Sequence, residues 1–536
     1  MKKIIFFLII CEISFAQIGA KYLIITHNDF LNAIQPLAQW KHKKGLPTKV
    51  VALSELNATP ESLSAIKRYI VNAYNTWNPR PEYVLLVGSP LHIKTDQNKY
   101  DDYYANLTGD YKMEISLGRF SCSTAVHCST MVAKTLSYER NPYMLDTLWY
   151  KKGTGIVRED FGAVDSVYWQ NMRYIFGLWQ NANFIHIDSF SRQRQDSARH
   201  VISAIDDGRT FVVFRGQGVG NWWSPFTLDP YLCNNNYKLP IVISGTCATI
   251  NLSYLEPHYL GESFLRAGSA DNPKGAVAFV GTTNSESGSG LAEIRGTVTI
   301  NIAKAIFSEG VYKLGDAVKR GKFLADSIRP SGWTSIRYRE WNLLGDPELS
   351  IWTDVPKTLS VFYDSVISPS QTNISCQVKI GTTPLANALV CIMKDTIYRY
   401  GLTNTNGIIN FTIPQQNSGM FFITVTAKNC KPFEGTIRVS TTDIKESADR
   451  KNLLSNIQIY PNPCRDVVNI KGLMANLPVS GDKWQIAIYD VQGRQVLNAN
   501  CKEQNEKLNI SNLASGIYMI VIRNEKARLV QKLVIR

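Results

Sequence analysis

Between Lys21 and about Val355 the chain repeats one pattern: a short run of apolar, largely β-branched residues, then a longer stretch with helical spacing of apolar positions. The runs are YLIIT (22–26), TKVVAL (48–53), YVLLVG (83–88), TGIVR (154–158), NFIHI (183–187), TFVVF (210–214), PIVISG (240–245) and AVAFVG (276–281). Strands this short and this apolar are buried on both faces, which requires helices on both sides of a largely parallel sheet. The intervening stretches include TPESLSAIKRYIVNAYNTW, in which Thr59 and Glu61 read as a helix start. The pattern therefore confines this region to an α/β fold. Its two sets of strands suggest two similar halves, with a border near 140–150, after YERNPY.

After Trp352 the pattern changes to short β runs separated by turn residues, among them SVFYDS, ISCQVKI, ALVCIMK, IINFTIP and FFITVTA. A small β-sandwich is expected over 356–441. Polar residues at 442–452 read as a linker, and 453–536 reads as a second all-β domain whose last residues form a strand.

The chain opens with MKKIIFFLIICEISFAQ, a two-lysine start, an apolar run and Ser14-Phe15-Ala16, which is the layout of a signal peptide over 1–16. Ile10 is too bulky to precede a lipidated Cys11, so simple secretion is the expectation. Little chain separates Gln17 from the first strand, and no folded propeptide domain is expected there. No later segment offers the roughly 18 apolar residues of a membrane span. The net charge of +14 comes from scattered Lys and Arg with no basic run, which argues against nucleic-acid binding. Of ten cysteines, nine follow the signal segment, so at least one is unpaired within the chain. Cys122 and Cys128 are near enough in sequence to close a small loop, and Cys247 is the candidate free thiol.

Four stretches carry a family resemblance: DDYYANLTGDYKMEISLGRF (101–120) with the following KTLSYERNP, the FRGQG turn at 214–218, PIVISGTC (240–247), and NLLGDPELSIW (342–352). In this order they resemble the gingipain family of cysteine peptidases. The resemblance implies a caspase-like, largely parallel α/β sheet in two subdomains, 17–145 and 146–355, followed by an immunoglobulin-like module at 356–441. IYPNP (459–463), IAIYDVQGRQV (486–496), LASGIYMIVI (513–522) and KLVIR resemble the C-terminal sorting domain of type IX secretion. That likeness implies export through the type IX machinery to the cell surface or beyond, with the last strand as a recognition surface.

In gingipains the catalytic His sits in a Gly-His-Gly turn after one strand and the nucleophilic Cys follows the next. Here Cys247 matches the nucleophile and Gln217 fills the His position. Glutamine can hydrogen-bond but cannot accept and return a proton near neutral pH. Backbone N–H groups around Gly216 to Gly218 are the expected oxyanion donors. Arg215, on the same loop, could place charge near the thiol without shuttling a proton. His258 is the histidine nearest Cys247 in sequence, and a surface loop position is the simpler expectation for it. Glu159 and Asp165 fall roughly where the resemblance places acids that orient the site or read a basic substrate. Trp222 and Trp223 are candidates to wall the cleft, with packing as the alternative. Asp101, Asp102 and Asp110 surround a turn that could hold calcium, although their spacing fits no strict calcium loop. No cofactor is required by this chemistry.

The sequence thus supports a secreted cysteine endopeptidase with Cys247 as nucleophile. A pseudopeptidase that binds peptides or proteins in the same cleft stands beside it, and a β-domain adhesin with a vestigial core is a third reading.

Overall fold

The computed structural model describes residues 17–97, 99–110, 112–159, 162–253, 259–283, 290–328, 337–440, 457–471, 484–490, 494–501, 505–523 and 528–536. The signal segment 1–16, the linker 442–452 and His258 lie outside the described residues.

Ten strands form one sheet: β1 (Tyr22–Thr26), β2 (Thr48–Ala52), β3 (Tyr83–Val87), β4 (Ser116–Phe120), β5 (Lys152–Val157), β6 (His186–Phe190), β7 (Phe211–Arg215), β8 (Ile241–Gly245), β9 (Ala278–Thr282) and β10 (Trp341–Leu344). Their order is β2-β1-β3-β4-β10-β9-β8-β7-β5-β6. Neighbours are parallel except at β9–β10, which is antiparallel. The sheet is therefore two parallel halves running in opposite directions, and their carboxyl ends lie at opposite edges.

Helices α1 (Leu31–Lys43), α2 (Leu63–Thr76), α3 (Ala125–Glu139), α4 (Asp165–Asn181), α5 (Ala198–Asp207), α6 (Leu260–Arg266), α7 (Leu291–Phe307) and α8 (Leu314–Ile328) cover both faces. Alternate residues of one strand enter different cores, as the pleat requires. Leu23 and Ile25 of β1 cluster with Ile66, Ile70 and Ala73 of α2, while Tyr22 and Ile24 join a core containing Ile34 and Leu37 of α1. In the other half Phe211 and Val213 pack with Met172, Ile175 and Trp179 of α4, and Val212 and Phe214 with Val201 and Ile205 of α5. Full burial of each such side chain contributes roughly 1.5–3 kcal/mol.

Four elements differ from the sequence reading. β4 (SLGRF) and β10 (WNLL) are strands although Gly, Arg and Asn interrupt their apolar runs. Arg119 of β4 is buried because its guanidinium is held by both carboxylate oxygens of Asp101, at 2.7 and 2.6 Å. β6 begins three residues later than NFIHI predicts, because Asn183 (φ 58°) and Phe184 belong to the turn that ends α4. Helix α2 starts at Leu63 rather than near Thr59, whose backbone N–H and hydroxyl bond the Ser62 hydroxyl in the turn before it.

The GDPEL turn after β10 is the hub of a buried ionic cluster. Lys41 of α1 lies 2.6 Å from Glu139 of α3 and 2.6 Å from Glu348, and it also contacts Asp346. Lys44 and Lys313 join the same carboxylates, and the Tyr22 hydroxyl donates to Asp346 at 2.7 Å. Burial opposes ionisation of Glu348, but Lys313, Lys41 and Lys44 outweigh it and hold the carboxyl well below its ordinary range. The motif thus fastens the end of the sheet to α1 and α3.

Of the described residues, those from 17 to 364, with 372–413 and 420–437, make one compact unit, and those within 365–371, 414–419 and 438–536 a second. Within the first, the Tyr398 hydroxyl donates to the His42 carbonyl at 2.7 Å and the two rings stack at 4.2 Å. Glu434 meets Arg140 and Lys43. In the second unit, strands Gln458–Tyr460, Val467–Lys471 and Asn505–Asn509 form one sheet. Gln495–Cys501, Trp484–Tyr489, Gly516–Arg523 and Arg528–Ile535 form another, with the last strand at its edge. Among the described residues no helix is long and apolar enough to cross a membrane.

Candidate active site

Parallel neighbours β7 and β8 are in register from Phe211↔Ile241 to Arg215↔Gly245. Gln217 and Cys247 each lie two residues beyond that last pair. Two strands about 4.8 Å apart therefore deliver them side by side at the carboxyl edge of the second half-sheet. The loops are stitched together: Gly220 N–H donates to the Ala248 carbonyl at 2.8 Å, and the Thr246 hydroxyl to the Gly218 carbonyl at 3.4 Å. Gln217 is exposed, with its carbonyl accepting from Ser224 N–H at 2.8 Å. The glycines on either side are required sterically. A Cβ at Gly216 would lie 2.5 Å from Arg158 Cβ, and one at Gly218 would lie 2.4 Å from the Trp222 carbonyl oxygen.

Cys247 is partly exposed, whereas the other free cysteines among the described residues, Cys122, Cys128, Cys233, Cys376, Cys391, Cys430 and Cys464, are buried. Burial pushes the thiols of Cys233, Cys376 and Cys391 up to about 12 and that of Cys430 to about 11. Cys122 and Cys128 do not form the loop disulfide considered from sequence. They are free thiols in the core between β4 and α3, and burial followed by a hydrogen bond with Cys128 raises the Cys122 thiol well above its ordinary value.

Among the described residues, a cation that reaches the nucleophile position is Arg295 of α7, whose Nη1 donates to Cys247 Sγ at 3.0 Å. Arg215, the sequence candidate for that role, is fully buried. Its guanidinium bonds the Gly245 carbonyl, Asn171 Oδ1 at 3.0 Å and the Ala292 carbonyl at 2.6 Å. Burial, with Arg295 nearby, lowers it to about 10. Arg215 thus braces the two strand ends against α4 and α7. Nothing in the sequence pointed to Arg295, which lies on a helix 48 residues beyond the cysteine and is brought to it only by the packing of α7 over β8.

Trp223 is a core residue rather than a cleft wall: it stacks on Phe214 at 4.9 Å and donates Nε1–H to Ser244 Oγ at 2.9 Å. Trp222 is 37% exposed and remains available to a ligand. Glu159 accepts from the Ser191 hydroxyl at 2.7 Å. Asp165 is largely buried at the start of α4 and accepts from Gly162 N–H at 2.9 Å, a turn-closing role. Beyond the thiol, buried Glu262 of α6 accepts from Asn251 N–H at 3.0 Å and so holds the Cys247 loop; burial raises this carboxyl to about 7.

The proposed calcium carboxylates face protein cations. Asp101 pairs with Arg119, Asp102 with Arg339 and Lys322, and Asp110 lies on an exposed loop beside Thr108 and Lys112. The three do not converge as a metal-ligating cluster among the described residues.

Residues 16–352 match the profile of Peptidase family C25, and residues 458–536 that of a secretion system C-terminal sorting domain. Gingipain R2 of Porphyromonas gingivalis is 23% identical over 538 residues, covering 97% of this chain and 68% of that protein. Lys-gingipain of the same organism is 24% identical over 450 residues, covering 77% of this chain and 25% of that protein. The crystal structure of the Arg-specific cysteine proteinase gingipain R superimposes with a TM-score of 0.70 at 20% identity, over 79% of this chain and 98% of that one.

Proposed function

Because the chain belongs to peptidase family C25, the gingipains, and ends in a type IX sorting domain that directs it to secretion or the cell surface, we propose that the Cys247 cleft is a cysteine endopeptidase site in which Gln217 holds the general-base position. The observation that carries this reading is the register: Gln217 and Cys247 stand two residues past the paired ends of adjacent parallel strands, with Arg295 at 3.0 Å from the sulfur.

In such a site the thiolate attacks the scissile carbonyl carbon, a sulfur–carbon bond forms, and the carbon–nitrogen bond breaks as the amine takes a proton from solvent water, leaving hydroxide to the medium. Water then releases the acyl group. Arg295 places positive charge where the sulfur is negative, and backbone N–H groups of the Gly216–Gly218 turn face the developing oxyanion. The carboxamide of Gln217 orients by hydrogen bonds but returns no proton to the amine. A positioned base is worth about 10²–10⁴ in rate, so acylation by activated substrates is retained while peptide turnover is slow.

The exposed Gln217 also favours a second reading, a cleft that binds peptides without turning them over. Incubation with a peptide library, read by mass spectrometry, separates the two. Slow cleavage abolished in Cys247→Ala supports the peptidase. Saturable binding with no product, unchanged in Cys247→Ala, supports the binder and overturns the first reading.

A further inference from the structure

The two half-sheets are built alike. β1 is flanked by β2 and β3, and β3 by β4, just as β5 is flanked by β6 and β7, and β7 by β8. In this correspondence Ser89, two residues past β3, matches Gln217, and Cys122, two residues past β4, matches Cys247. The first half therefore has a carboxyl edge of its own, on the side of the sheet remote from Cys247. Its chain path also reverses there: β1 leads to β2 on one side while β3 lies on the other. Crevices at such reversals are the usual ligand sites of α/β sheets.

That edge carries His27, directly after β1, and His92, in the turn after β3. Their rings meet edge to face at 4.9 Å. The Ser89 hydroxyl lies 2.9 Å from His92 Nδ1, and Asp29 Oδ2 lies 3.4 Å from His27 Nδ1. Gly88 (φ +143°) makes room for this arrangement, since a Cβ there would sit 2.7 Å from His92 Cβ. One ligand atom from each of His27, Asp29 and His92 lies within 4.8 Å of the other two. We propose that His27, Asp29 and His92 form a binding site for one divalent transition-metal ion of the zinc class.

Around a tetrahedral zinc ion with bonds of about 2.0–2.2 Å, ligand atoms stand roughly 3.4 Å apart. The present spacing, within 4.8 Å, is wider than this, and Asp29, with 68% of its side chain exposed, is placed to rotate toward it in solvent. Two imidazoles select zinc, cobalt or nickel over calcium and magnesium, which take oxygen ligands. The Ser89 hydroxyl fixes the His92 ring as an outer partner does in metal sites. Three protein ligands leave a fourth position for water. The site is separate from the Cys247 chemistry and does not depend on it.

The test is titration of the chelator-treated mature protein, carrying Cys247→Ser to remove the accessible thiol, with zinc against a chromophoric chelator and with cobalt by visible absorption. One ion per chain is expected, with a four- or five-coordinate cobalt spectrum lacking a thiolate charge-transfer band. His27→Asn and His92→Gln should abolish binding, Asp29→Asn should weaken it, and Ser89→Ala should weaken it about 10-fold. The proposal is overturned if no stoichiometric ion binds at micromolar zinc, if a thiolate band appears, or if folded His27→Asn retains wild-type affinity. Should the histidine variants not fold, Asp29→Asn decides: its side chain is exposed, and unchanged affinity there also overturns the site.

Discussion

At the residue scale, the Arg295–Cys247 contact and the Glu262 carboxyl each make a prediction. Arg295 donates to the sulfur from a buried position on α7. Arg295→Leu should slow alkylation of Cys247 by iodoacetamide at neutral pH several-fold, as followed by mass spectrometry, whereas Arg215→Leu should instead lower the melting temperature. Glu262 is fully buried and its carboxyl is raised to about 7. A raised acid favours the fold least when it is charged, so stability falls as pH climbs from the ordinary Glu value near 4.5 through about 7. The shift corresponds to about 3 kcal/mol at most. Glu262→Gln keeps an oxygen for Asn251 N–H, so it should raise the melting temperature at pH 8 and leave it nearly unchanged at pH 4.5. That Cys247 and Gln217 follow neighbouring strands was legible in the sequence, because each comes after an apolar run in a known motif. The Arg295 contact was not, because helix packing leaves no local signature, and the sequence left cleft wall and packing open for both Trp222 and Trp223, which the structure separates because adjacent residues of a strand face opposite ways.

At the scale of elements, the buried ionic cluster around the GDPEL turn sets the acid limit of the fold. Glu348 is depressed by Lys313, Lys41 and Lys44 despite its burial, and Glu139 by Lys41 and Lys44. A depressed carboxyl contributes stability that is complete above its unfolded value and lost as pH falls through the folded one. Thermal stability should therefore decline below about pH 4.5, and the decline should flatten in Glu348→Gln. At neutral pH that variant should lose about 3–5 kcal/mol, measured by denaturant unfolding, because buried lysines lose their partner. The strands were largely legible, since burial on both faces writes itself as an apolar run. β4 and β10 were not, because each carries a polar residue whose burial depends on a partner elsewhere: Asp101 for Arg119, and the Lys99 carbonyl for Asn342.

On the scale of the whole molecule, the opposed halves explain how one sheet offers two separate carboxyl edges, one with Cys247 and one with the His27–His92 pair. The sequence showed two sets of strands, but not their opposite directions, which rest on the single antiparallel β9–β10 pairing. The β region joined to the α/β part by Tyr398 and Glu434 should stabilise it. Residues 17–440 should melt at a higher temperature than 17–355, by calorimetry, and equal melting would show those contacts to be idle. Deletion of 453–536 should leave the protein in the periplasm of a host with type IX secretion, and normal surface delivery of the truncated chain would contradict the role of that domain.

The central claim is that Gln217 occupies the place of the missing base. Gln217→His sets an imidazole between Gly216 and Gly218, on the loop stitched to that of Cys247, and its peptidase rate is the direct measurement. The account predicts a gain of about 10²-fold or more over the wild type on peptide substrates, abolished in the double variant with Cys247→Ala. A wild type that already cleaves peptides rapidly, with no gain in Gln217→His and loss on changing a native histidine, would contradict it.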